Sequence, residues 1–105
     1  MGDTAQNYDE GKIPLQLLPP EALFEIAKGL QFGAEKYSDP YNWRKGMEWG
    51  RTFGSLKRHL EKWWGGEDID EESGVHHLGL AGCRLLFLIS YVVGKGGTDD
   101  RPPKM

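Results

Sequence analysis

The sequence predicts an all-α fold completed by homo-oligomerisation, and three observations carry the prediction. Apolar residues recur at helical spacing in three separate segments. No stretch of useful length alternates apolar with polar residues, as a half-buried strand would. Between the three segments lie Ser38-Asp39-Pro40 and Gly65-Gly66, which end helices for different backbone reasons.

Helix one is expected over residues 20–37, with Pro20 suited to its first turn. Leu23, Ala27, Leu30, Ala34 and Tyr37 form its apolar face. Gly29 and Gly33 weaken it intrinsically and so require a packing reason. Ahead of it, residues 12–20 are apolar but bounded by prolines, and are expected to pack extended against a core.

Helix two is expected over residues 47–64. Trp49, Phe53, Leu56, Leu60 and Trp63 make an apolar stripe, Arg51, Ser55, Arg58 and Lys62 the opposite side, and His59 the border. Gly46, Gly50 and Gly54 recur at every fourth position, which allows close approach of another helix, the preferred reading, or of a ligand.

Helix three, over residues 75–93, is apolar on nearly every side except at His76, His77, Arg84 and Ser90. Such a helix is a central one, buried by other helices or by a second subunit. Three helices with one so apolar do not close a core alone, hence the expected self-association. The domain organisation is a mobile segment 1–11, one helical domain over 12–94, and a polar tail 95–105.

At 105 residues the chain has room for one domain, and 38% hydrophobic with 28% charged residues is ordinary globular composition. The formal net charge of −3 disfavours stable nucleic-acid binding, which draws its affinity from neutralised phosphates. Cys83, the single cysteine, excludes an internal disulfide and reads as a small core residue in a reducing compartment. No secretory signal pattern opens the chain, and the most apolar run, 85–93, is shorter than a membrane span. A cytoplasmic protein with no membrane partner is expected.

Chemistry concentrates after helix two. Glu67, Asp68, Asp70, Glu71 and Glu72 crowd into one turn, with His76 and His77 just beyond and His59 a short connection away. Two readings stand: a cation held by carboxylate and imidazole, or a solvated acidic cap before a helix N-terminus. Arg84 shares a line with His77, Ala81 and Leu88, either as a functional cation or as the ion-pair partner of an acid on another helix. Lys36, Arg44, Lys45, Arg51, Arg58 and Lys62 supply phosphate-type donors, and Tyr37, Tyr41, Trp43 and Trp49 supply rings near them. The glycines of residues 94–97 lack the spacing of a phosphate-binding loop.

An ordered set of segments resembles the phage dATP/dGTP diphosphohydrolase family. It comprises Leu17-Leu18-Pro19-Pro20-Glu21-Ala22-Leu23, Phe32-Gly33-Ala34-Glu35-Lys36-Tyr37 and Asn42-Trp43-Arg44-Lys45-Gly46. Arg58-His59-Leu60, Trp63, Gly66-Glu67-Asp68, Asp70, Glu72-Ser73-Gly74 and His77-Leu78 continue it in the same order.

The resemblance implies a MazG-like all-α fold and a helical dimer or tetramer. It also implies cleavage of a purine deoxynucleoside triphosphate, dATP or dGTP, to monophosphate and pyrophosphate with Mg²⁺ or Mn²⁺. Under it, Glu67, Asp70, Glu72 and His77 are the expected metal ligands and Glu35 a secondary one. His59 is expected to orient or act as general base, beside Glu67 and Asp70 as catalytic residues. Lys36 and Arg58 are expected on phosphate oxygens, and Tyr37, Asn42 and Trp43 on sugar and base. The rival reading is a non-enzymatic helical interaction module of a phage.

Overall fold

The computed structural model describes residues 4–104, so residues 1–3 of the expected N-terminal segment and residue 105 of the tail lie outside it. Three helices follow one another: α1 (Pro20–Tyr37), α2 (Trp49–Trp64) and α3 (His77–Gly94). Single 3-10 turns occupy Leu15–Leu17 and Asn42–Lys45. Among the described residues there is no strand, only isolated bridges joining Glu48 to Thr98 and Ile69 to His76. The all-α expectation holds.

The helix ends follow from local chemistry. Pro20 opens α1, where its missing N–H costs nothing, and Ser38 closes it in the left-handed region at φ 55°. Gly65 stays right-handed after α2 and the chain turns at Gly66, φ 107°. His76 caps α3, its ring Nδ1 accepting from the Leu78 amide at 3.0 Å.

Helix α3 packs against both α1 and α2, as its apolar composition requires. By length and hydropathy the whole of α3 could cross a bilayer, although the run 85–93 alone is too short. Here it is the core helix: Leu80, Ala81, Cys83, Phe87 and Tyr91 are buried. Glycines set how closely α1 approaches. A Cβ on Gly79 would lie 2.6 Å from the Glu25 carbonyl oxygen, and one on Gly29 would lie 2.6 Å from the Cys83 Sγ. The Cys83 thiol donates to the Ile26 carbonyl at 3.2 Å, and burial pushes its pKa up to about 11, so it is an inert core group.

Several expectations are corrected. Residues 12–20 do not pack on this core; Ile13, Leu15 and Leu17 are exposed. The α2 stripe is only partly inward: Trp49 packs on the core, but Phe53 and Leu60 are exposed while Thr52 is buried and His59 and Ser55 bond to α3. Polar side chains turn inward because α3 supplies their partners. The fourfold glycines do not serve helix–helix contact: Gly46 meets Gly97, Gly50 meets Asp100, and Gly54 meets Arg58 of its own helix.

The tail also contributes to the fold. Thr98 donates its amide to Met47 and accepts from the Trp49 amide, the Trp49 indole donates to Gly96, and the Asp100 carboxylate accepts from the Gly50 amide. This segment caps the α2 N-terminus, where orphan N–H groups favour an acid.

Two glycines on facing helices should respond oppositely to alanine. Gly79→Ala drives a methyl into the α1 backbone and should cost about 1–3 kcal/mol. Gly33 has open space around it, and Gly33→Ala should gain about 1 kcal/mol from helix propensity. Denaturant melts of the two variants check both signs.

Candidate functional site

The acidic turn folds as a bracket between α2 and α3. Asp70 and Val75 pair through the backbone at 2.9 Å, Gly74 donates to the Asp70 carbonyl at 2.8 Å, and His77 donates its amide to the Asp68 carbonyl at 2.8 Å. Gly74 takes φ 73°, a conformation that strains other residues. The Asp70 carboxylate accepts from the Ser73 amide at 2.9 Å and hydroxyl at 2.8 Å. Partial burial opposes its ionisation, but the Ser73 bonds, aided by His59 and His77, hold its pKa below the usual carboxylate value.

This bracket aims one carboxylate at two imidazoles. His77 is fully buried, and its Nδ1 lies 2.9 Å from the Nδ1 of His59 on α2. Its Nε2 contacts the Glu67 carboxylate at 2.5 Å. Two ring nitrogens at that separation have two chemical solutions: a proton on one donated to the other, or a cation shared by both lone pairs. His59, His77 and Asp70 each offer a ligand atom, all within 4.8 Å of one another. Burial, then the positive charge of Arg84 and His77, holds the His59 pKa below its ordinary value, so the ring is neutral at neutral pH. Imidazole nitrogens beside a carboxylate suit a transition-type divalent ion.

The cluster opens on a cavity of about 720 Å³ between the helices. Lys36, Tyr37, Asn42, Trp43, Arg58 and His59, all expected at the site, line it together with Asp70 and Glu72. The five acids of the turn do not converge on one ion. Glu67 buttresses His77, and Glu72 is engaged with Lys36 at 3.2 Å, outside the three-residue ligand cluster. Asp68 lies 4.0 Å from His76.

Two further expectations change. Glu35 is exposed and does not line the cavity, because one residue along α1 rotates a side chain by about 100° from Lys36. Trp43 touches the cavity, but its ring stacks on Phe87 at 4.6 Å and its carbonyl accepts from the Tyr91 hydroxyl at 2.6 Å. It anchors the core and is not a free platform; Tyr37, 55% exposed, is the free ring on the same wall.

Residues 2–101 match the family described as dATP/dGTP diphosphohydrolase, N-terminal. The chain belongs to this family. It is 34% identical over 98 residues, 93% of its length, to a protein of Salmonella phage PMBT28 named dATP/dGTP diphosphohydrolase. The matched region is 33% of that relative, so the chain spans about a third of it. No solved structure matches the chain. The family is one of hydrolases, and these residues carry its N-terminal portion.

Sequence reasoning missed Ser73 and Ser55. The first was within reach, since an acid followed three residues later by serine is a turn pattern. The second stands on the polar side of helix two, and only its contact with α3 reveals it.

Asp70 thus organises the turn as well as facing the histidines. Asp70→Ala should destabilise the metal-free protein by about 1–2 kcal/mol through loss of the Ser73 bonds. Urea unfolding in chelator checks this, and unchanged stability would contradict the role.

Proposed function

We propose that this chain carries the catalytic site of a metal-dependent pyrophosphohydrolase converting dATP or dGTP to the monophosphate and pyrophosphate. One observation carries the reading: ligand atoms of His59, Asp70 and His77 meet at the edge of a cavity lined by cations and an exposed ring. The name of the phage relative supports the substrate class.

The donor set fits Mn²⁺, or Mg²⁺ with more water in its shell. His59, Asp70 and His77 would hold the ion, with Glu67 fixing the His77 ring through its outer nitrogen, the usual carboxylate–histidine arrangement. Bound there, the ion would supply Lewis-acid stabilisation of charge on the phosphoryl oxygens. Lys36 and Arg58 neutralise phosphate, Tyr37 stacks on the base, and Asn42 contacts the sugar. Water adds to the α-phosphorus as the bond to the bridging oxygen breaks. The departing electron pair goes to pyrophosphate, and the water protons pass to solvent.

Incubation with each deoxynucleoside triphosphate and Mn²⁺ tests the proposal by its products. Purine substrates should give monophosphate and pyrophosphate, and Asp70→Asn should abolish turnover. Release of orthophosphate, or full activity in chelator, would exclude the reaction as written.

We also propose that the protein is a homo-oligomer. Leu85, Ile89, Val92 and Val93 on α3, Phe53 and Leu60 on α2, and Leu15 and Leu17 ahead of α1 are all exposed. Association would bury these side chains, as apolar surface at subunit interfaces is buried. Light scattering should give a multiple of 11.9 kDa; the monomer mass at micromolar concentration would refute association.

A further inference from the structure

Arg84 is the cation that the site described above leaves without a task. It projects from α3 into the cavity wall, half-buried, where an uncompensated charge is costly. Among the described residues it forms no ion pair. The carboxylates lining the cavity are engaged elsewhere: Asp39 with Lys45, Asp70 with Ser73, and Glu72 with Lys36. An intramolecular ion pair therefore does not explain it.

Its geometry is held by neutral contacts that keep its donors available. Nε donates to the Ser55 hydroxyl oxygen at 2.8 Å, and the guanidinium carbon lies 5.5 Å from the centre of the Phe87 ring. That leaves the terminal N–H groups of Arg84, and the Ser55 hydroxyl proton is still free to be donated. Ser55 lines the same cavity, as do the bare side of Gly54 and the Arg58 side chain. This corner offers donors, and its natural ligand is a group that only accepts. Ser55 sits one turn, about 6 Å along α2, from His59.

We propose that Arg84, positioned by Ser55, anchors the distal phosphates of the substrate, the pyrophosphate end that leaves. The inference rests on the pyrophosphohydrolase reading for its substrate, while the anion site stands on its own geometry. A guanidinium fork presents paired N–H groups that match phosphoryl oxygens. With the histidine cluster at one end and Arg84 at the other, the phosphate chain lies along the α2–α3 seam.

The test uses inorganic pyrophosphate as probe, in chelator, with thermal melting as readout. Pyrophosphate should raise the parental midpoint, and Arg84→Met should abolish that shift while keeping the shift given by Mn²⁺ alone. With dGTP and Mn²⁺, Arg84→Met should raise KM roughly ten- to a hundredfold, the range for losing a charge-assisted bond. Arg84→Lys should recover part of the loss, since it restores charge without the fork. Should Arg84→Met not fold, Ser55→Ala carries the test and should weaken pyrophosphate binding several-fold.

An Arg84→Met protein that retains the pyrophosphate shift overturns the proposal, as does a parent that shows none. So does an Arg84→Met protein whose oligomer dissociates while its pyrophosphate affinity is unchanged, because the charge then serves an interface. A parent that binds pyrophosphate through Arg84 but hydrolyses no nucleotide sustains the anion site and removes the hydrolase reading alone.

Discussion

His77 is fully buried, and burying an imidazole among helices requires partners for both of its nitrogens. Nε2 has the Glu67 carboxylate and Nδ1 has His59, so one ring ties the acidic turn to α2 from its seat at the start of α3. Two turns further along α3, Arg84 meets Ser55. These polar contacts make the α2–α3 seam selective in register: a slip along it would strand buried groups, whereas apolar contacts alone tolerate sliding. The position of the cavity follows from that register.

The turn between α2 and α3 is acidic for more than one reason. Asp70 is used twice, by Ser73 to shape the turn and by its approach to the histidines. Glu67 is spent on His77, Glu72 on Lys36 from α1, and Asp68 gives its backbone oxygen to the His77 amide. Dense like charge would be unfavourable in a flat array. Directing the Glu67, Asp70 and Glu72 carboxylates to different partners removes much of the repulsion and ties the turn to all three helices.

The apolar surface is arranged outward to a degree unusual for so small a domain. Helix α3 gives one side to its own core and leaves Leu85, Ile89 and Val92 exposed; α2 does the same with Phe53. The chain corresponds to about a third of its phage relative.

The sequence by itself determined the helices and the neighbourhood of the site. Helical spacing, Pro20, Ser38 and the Gly65-Gly66 stop are local signals, and α1 lies where they put it, at Pro20–Tyr37. The nearness of His59 and His77 to the acidic turn was legible because the connection is short. Which carboxylate meets which partner was not, because Glu67, Asp70 and Glu72 differ in direction only once the turn is folded. Likewise Ser55 and Arg84 look like a solvated serine and an unassigned cation until α2 is laid on α3. Trp43 reads as an available ring until Phe87, 44 positions later in the chain, covers it. Local propensity acts through neighbours along the chain, whereas partner choice depends on contacts between distant segments, and only the tertiary structure decided those.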